Sequence, residues 1–482
     1  MALFYKDKLF FPRLFTLLIP ILLQNLLSAT LNFIDNLMIG RLEGIAETAV
    51  AAVGIVNNSI FFIYIMLSFG LASASGIFNA QYWGAKEIKK IKTITGFSLL
   101  LTFGVSFVFM LLSILIPNEL MALFTRDQEV INAGIPYLQI LTPTFFLLAV
   151  AYNYATVLRS TEIVMFPMVA SITGLVLNTG LNYVLIFGNF GFPALGIRGA
   201  GIATLIARLV EFTMIISFVY IKKTPAAIGL SHFLSITKSI MVKYLKKALP
   251  LLGQSLFWAI GFSMYTRIFG YLENHVKESM AAYQSAGTIE RMCLIFFTGL
   301  AAVCAIMVGN RIGAKEEEKA RGYAKNFLLI AVLMSFVISI ILFAIRGSLA
   351  EFYNFEEISK NYLKGILLVT SLVMWAKASN VVFHMGILRA GGDTLFSMFV
   401  DAGGVWLIGV PIALVTAFVF NMPINYIIAF IAIEEIVKMI VAYIRFGTGK
   451  WLNNLVSTAM PDESVPCEQM LITKQASVAK ET

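Results

Sequence analysis

The stretch LLIPILLQNLLSATLNFIDNLMIG, residues 17–40, is long and apolar enough to cross a bilayer, yet it carries Pro20, Gln24, Asn25, Asn32 and Asp35. About twenty apolar residues in an α-helix span about 30 Å of hydrocarbon. An acid in the middle of such a helix costs roughly 2.5–3.5 kcal/mol on insertion scales. Asp35 therefore belongs against protein or a water-filled cavity. At about 100° per residue, Gln24 and Asp35 fall within about 20° of each other, with Ser28 close to the same face. One side of this helix is polar along its length. Pro20 removes a backbone donor and permits a bend, or packs around a static kink. Two structural readings stand beside a functional Asp35: an interhelical hydrogen bond, and a place near the membrane edge.

The same kind of stretch recurs along the chain. Of 482 residues, 59% are hydrophobic and 13% charged, too little polar surface for a soluble protein of this length. Twelve runs are long enough to span: roughly 14–39, 50–81, 93–116, 137–158, 164–186, 199–221, 244–271, 280–309, 326–345, 362–388, 396–420 and 424–444. The expected fold is an all-α polytopic membrane protein with twelve transmembrane helices. The opening MALFYKDKLFFPRLF has a charged start, but the apolar run behind it is too long for a cleaved signal and ends in no A-x-A site. It reads as a retained first helix. Three scattered cysteines, Cys293, Cys304 and Cys467, make neither a disulfide framework nor a metal cluster.

The net charge of +9 is explained by topology. With the N-terminus inside, one side collects Lys6, Lys8, Arg13, Lys86, Lys89, Lys90, Lys222, Lys223, Lys246, Lys247, Arg311, Lys315, Lys319 and Arg445. The opposite loops hold acids, among them Glu43, Glu47, Glu119, Asp127, Glu129, Glu273 and Glu351. The positive-inside rule places both termini in the cytoplasm of a multi-pass cell-membrane protein. Nucleic acid is not an expected partner.

An internal repeat organises the chain. At an offset of 230, PILLQNL (20–26) meets PLLGQSL (250–256), matching Pro20 to Pro250 and Gln24 to Gln254. At 229, GAKE (84–87) meets GAKE (313–316); the offset returns to 230 where LR (158–159) matches LR (388–389). Six spans per half is an even number, so both halves enter from one side as parallel repeats. The expected lobes are 1–225 and 226–450, with 451–482 a cytoplasmic tail without fixed structure. There is no G-x-x-x-x-G-K-[ST] and no room for a nucleotide-binding domain, which leaves ion coupling or passive flow.

Further polar residues lie inside the spans. Asn178 and Asn182, four apart, share one face of span 5, where two amides either complete a cation site beside a carboxylate or glue helices together. Thr204 on span 6 adds a hydroxyl. Arg208 with Glu211, and Glu435 with Lys438, read as self-neutralising i, i+3 pairs near helix ends. Lys377, Asn380 and His384 fall on one side of span 10, and Glu290 and Arg291 within span 8. The Lys and His read either as proton-handling groups or as snorkelling and salt-bridging ones.

These residues resemble the MATE (multidrug and toxic compound extrusion) transporters over nearly the whole of 10–450. The matching pieces are Pro20 and Asp35 in span 1, WGAK after span 2, Asn178 and Asn182 in span 5, G-x-x-G-A-x-x-A-T at 196–204 and LRAGGDT at 388–394. The resemblance implies two six-helix bundles forming a V and efflux of organic, often cationic, drugs by antiport with H⁺ or Na⁺. It implies no other cofactor, and the chain is expected to act as a monomer. It also implies a coupling site in the N-terminal lobe, which carries over onto Asp35, Asn178 and Thr204; with Asn182 these are the cation-coupling candidates, a Na⁺ at Asp35 being possible, and Pro20, Gln24 and Asn32 are the candidates for the bend and cavity of helix 1. Two departures matter. Asn182 stands where some members carry a second acid, and spans 7 and 10 lack the acids that others use. The candidates left for a C-terminal-lobe cavity are Gln254, Trp258, Glu290, Lys377 and His384. A lipid-linked saccharide flippase of related architecture is the alternative, and it needs several cavity cations for pyrophosphate. Against a channel, the repeated bundles suggest alternating access, and flux that saturates and responds to a counter-ion would exclude one; no Ser/His/Asp set points to an enzyme.

Overall fold

The computed structural model describes residues 5–39, 46–234, 236–272, 275–353 and 355–456. In the N-terminal half, α1 is Phe10–Ile39; α2 is Ala46–Ile55 and Phe62–Gly84 joined through a π-turn at Val56–Phe61; α3 is Ile88–Leu115. Next come α4, Gln128–Leu141 with Thr144–Ser160, then α5, Met165–Phe187, and α6, Gly196–Ile221. In the C-terminal half, α7 is Lys238–Gly270, α8 Val276–Gly313 and α9 Glu317–Phe352. α10 is Glu357–Val381 and Leu388–Ala390 around a π-turn at Val382–Ile387; α11 is Thr394–Gly403 and Val410–Phe418 around another at Gly404–Gly409; α12 is Ile424–Ile431 with Ile433–Thr448. Nine described helices are long and apolar enough to cross a membrane, and the two parts of α4, bent by 52°, make a tenth span. α7 and α12 complete the twelve: the first opens on Lys243, Lys246 and Lys247, and the second carries Glu434, Glu435 and Lys438.

The repeat is visible in the backbone. Lys86 and Lys315 take left-handed φ of 62° and 61°, and Glu162 and Gly392 take 66° and 65°, at the offsets found in the sequence. The two bundles also exchange their first half-helices. Phe10, Leu14, Leu17, Leu18 and Ile21 of α1 belong to the apolar core of the C-terminal bundle. Ile240, Tyr244, Ala248 and Leu251 of α7 belong to that of the N-terminal bundle. The opening part of each lobe's first helix thus packs in the core of the other lobe. Because lipid tails are as apolar as leucine, packing and hydrogen bonds hold this crossing together. Tyr244 donates to the Leu71 carbonyl (2.5 Å), and Phe10 packs edge-on against Tyr323 and Phe327.

Both described chain ends lie at the end of the bundle that holds the GAKE turns, called the basic end below. Here α2 crosses α8. Tail residues expected to lack structure are packed as far as Val456: Trp451 is fully buried and stacks on Phe446. Asn453 bonds the Gly391 carbonyl, Asn454 bonds that of Ile312, and the Leu455 amide donates to Gln81 Oε1 (2.7 Å). The segment thus joins the two lobes; residues 457–482 lie outside the described part.

At the other chain end, Tyr323 donates to Asp7 (2.7 Å) and the Leu9 amide donates to the other oxygen (2.9 Å). These bonds hold the Asp7 carboxyl below its ordinary value. A lowered pKa gives stabilisation that is complete above the ordinary value and lost as pH falls through the depressed one. The Leu9 amide should thus resist hydrogen exchange near neutrality and lose protection below about pH 4. Protection persisting in stronger acid would assign the strap to the packing of Phe10 instead.

Candidate functional site

Helix α1 is continuous through the buried Pro20, which removes one donor from its ladder. Two α1 residues expected on one polar face part company. Gln24 accepts from Arg159 of α4 (3.0 Å), whereas Asp35 meets α5. The Asn32 side chain lies outside the described residues.

Asp35 lines a cavity of about 370 Å³ enclosed by α1, α2, α4, α5 and α6. Its Oδ1 accepts from Thr179 Oγ1 (3.2 Å) and Asn182 Nδ2 (3.0 Å). The amide of Asn178 is assigned by its neighbours: its nitrogen donates to Asp35 Oδ2 (2.7 Å) while its oxygen faces Thr204 Oγ1 (3.2 Å). Three neutral donors thus converge on its two oxygens. Asn182 Oδ1 is buried beside it without a partner among the described residues. That is an oxygen available to a cation. The four residues Asp35, Asn178, Asn182 and Thr204 are thus brought together.

The same cavity holds groups that the sequence did not single out for it. The π-turn of α2 turns Asn57 and Asn58 inward, and Asn57 bonds Tyr137 (3.1 Å); such turns recur at functional sites. Arg208 and Glu211 also line it, joined at 2.7 Å. They sit in the middle of α6, so the expectation of a pair near a helix end is corrected. Glu435 stands in the first turn of the second part of α12 with Lys438 three residues on, and both line a cavity in the C-terminal bundle.

A second cavity, about 240 Å³, lies in the C-terminal bundle. Trp258, Glu290 and Lys377 line it, with Lys377 bonded to Glu290 (2.7 Å). Lys438 stands on its wall between Glu434 (2.8 Å), Glu435 (3.2 Å) and Asp401 (3.6 Å). Gln254 and His384 are elsewhere: Gln254 donates to Asp401 (3.1 Å), and His384 Nδ1 meets Ser397 (3.0 Å). The π-turn of α10 shifts the register, so His384 leaves the face shared by Lys377 and Asn380 and points toward α11. Asp401 and Glu434 went unnoticed in the sequence, although each is an acid within an apolar span and carries the insertion cost that marked Asp35.

The offset of 230 maps Asp35 onto Tyr265, Thr204 onto Glu434 and Arg208 onto Lys438. Tyr265 bonds Glu434 at 2.7 Å. Both lobes therefore keep an acid, a hydroxyl and a cation at equivalent places, with acid and hydroxyl exchanged.

The chain is similar to known transporters in sequence and in fold. A probable multidrug resistance protein NorM of Listeria monocytogenes serovar 1/2a is 28% identical over 423 residues, 85% of this chain and 89% of its own. A probable multidrug resistance protein YoeA of Bacillus subtilis (strain 168) is 24% identical over 400 residues, covering 83% and 85%. Among solved structures, the outward-facing conformation of a multidrug resistance MATE family transporter of the MOP superfamily superposes with a TM-score of 0.80 at 18% identity, over 91% of this chain and 96% of that one. The eukaryotic MATE transporter AtDTX14 does so with a TM-score of 0.78 at 20% identity, over 92% and 96%; at these identities the likeness speaks for the fold, two bundles of six helices. The sequence model of the MatE family matches residues 20–184 and 250–427, most of both repeats, and the chain belongs to this family of multidrug transporters.

Proposed function

We propose that this protein exports organic, often cationic, small molecules by antiport with H⁺ or Na⁺, using Asp35 as the coupling acid. The observation that carries the reading is Asp35 itself, a carboxylate in a cavity, bonded by three neutral donors. A proton needs only the carboxylate. A Na⁺ would take Asp35, Asn182 Oδ1 and the Asn178 oxygen after a half-turn of that amide. Binding either ion withdraws the donors from Asp35 and alters the contact of α1 with α5. An outward-open and an inward-open state that differ at this contact differ in ion affinity, and alternating access requires that difference. One net inward charge per cycle is worth about 2.3 kcal/mol per 100 mV, enough for a gradient of tens-fold. The positive-inside rule sets the basic end and both termini in the cytoplasm, and each copy holds a complete site and works as a monomer.

The flippase alternative needs free cations in the cavities. Of the described cations lining the cavities, Arg208, Lys377 and Lys438 each hold a carboxylate and Arg291 bonds Thr288 (3.0 Å), which leaves one without an acid where several are needed and argues against it.

The test is efflux of a fluorescent organic cation from proteoliposomes with Na⁺ and H⁺ gradients imposed separately. One gradient should drive wild-type export, and Asp35→Asn should lower it by about a hundredfold or more. Equal export by Asp35→Asn would remove Asp35 from coupling.

A further inference from the structure

Arg208 raises a question that its bond to Glu211 does not dispose of. It lies one turn beyond Thr204 on α6 and lines the same cavity as Asp35. Its guanidinium keeps its charge at any working pH, so it holds a carboxylate wherever one is in reach. Among the described lining residues there are two, Glu211 and Asp35. Arg208 is within electrostatic range of both, but its hydrogen bond goes to Glu211 Oε2 at 2.7 Å.

Glu211 is seated by design of the neighbouring helix. Gly174 of α5, one turn before Asn178, leaves the space: a Cβ there would stand 3.3 Å from Glu211 Cβ and 3.3 Å from the Ala207 carbonyl. Glu211 is buried with its carboxylate toward Arg208. The other titratable groups facing the pair are Tyr152 and Arg159 from α4, and Tyr137 stands near Asp35. The repeat places Lys438 at the position of Arg208, and it too is held by carboxylates of its own helix.

We propose that Arg208 is a built-in rival of the driving cation for Asp35, and that Glu211 is a positioning residue that keeps Arg208 off the acid. The proposal rests on the reading of Asp35 as the coupling acid. With Arg208 and Glu211 paired, the cavity has one net negative charge, which a single monovalent cation neutralises. Freed from Glu211, the guanidinium turns to Asp35 and fills the place of the ion.

The experiment compares Glu211→Gln, Glu211→Asp, Arg208→Gln and the double variant Arg208→Gln/Glu211→Gln in the efflux assay. The readout is the concentration of driving cation at half-maximal rate. Glu211→Gln should raise it about tenfold or more, because Asp35 is then occupied internally. Glu211→Asp should restore it, and so should the double variant, to within about threefold. Wild-type behaviour of Glu211→Gln overturns the proposal, as does a double variant as impaired as Glu211→Gln. Failure of the underlying reading shows separately, as normal coupling in Asp35→Asn. The double variant also controls for folding, since it lacks both partners and is expected to work.

Discussion

Replacing Gly84 or Gly313 with valine should abolish gradient-driven efflux and leave the basic end of the protein open. These glycines are partners in the repeat and meet across the contact of α2 with α8. A Cβ on Gly84 would fall far inside contact distance of the Asn310 carbonyl, and one on Gly313 would do the same to that of Gln81. Gln81 and Asn310 are themselves repeat partners, so each helix places a glycine against the other's backbone. A flexible side chain could step aside, but a carbonyl of an intact helix cannot. Ordinary overpacking costs about 1–3 kcal/mol, and here the cheaper escape is for the helices to part. The check is a single cysteine at Ala80 in a chain lacking Cys293, Cys304 and Cys467. A membrane-impermeant maleimide should label it slowly in the parent and rapidly in Gly84→Val. Gly104 has nothing within 4 Å of where a Cβ would stand, and Gly104→Ala is the control that should change neither labelling nor efflux. Unchanged labelling in Gly84→Val would mean that the crossing does not close this end.

Lys438→Met should destabilise the C-terminal bundle by about 3–5 kcal/mol, the range for breaking a buried ion pair from one side. Lys438 is 6% exposed and meets three carboxylates. Each acid also has a neutral donor: Tyr265 for Glu434 (2.7 Å), Asn380 for Glu435 (2.7 Å) and Gln254 for Asp401 (3.1 Å). Those donors orient the acids but bring no charge, so removing the lysine leaves like charges facing one another. Glu434 has the least room to escape, since Gly409 and Gly404 of the α11 π-turn are closed in by Tyr265, Glu434 and Lys438. The double variant Lys438→Met/Glu434→Gln should therefore recover part of the loss. Thermal unfolding in detergent measures both, with the Arg208→Gln/Glu211→Gln protein showing what a more exposed pair is worth. A Lys438→Met protein as stable as wild type would assign the charge balance to Lys377.

How far the sequence reached differs from residue to residue. Twelve apolar runs and a repeat with a 229–230 offset decided an all-α membrane protein of two six-helix halves, because hydrocarbon leaves a backbone no alternative to pairing within each span. The same reasoning singled out Asp35, an acid inside an apolar run, and the four-residue spacing put Asn178 and Asn182 on one face of α5. Periodicity assumes a regular helix, however, and that is where it ended. The π-turn in α10 carried His384 away from Lys377, and the one in α2 brought Asn57 and Asn58 into the cavity, neither shift being encoded in spacing. Gln24 and Asp35 share a face of α1 but meet different helices, since partners along a long helix change with depth. The role of Arg208, the exchange of half-helices between lobes and the seating of Trp451 all depend on contacts between residues far apart in the chain. Sequence determined which polar groups had to be sheltered from lipid; only the packing of helices against one another decided which of them meet.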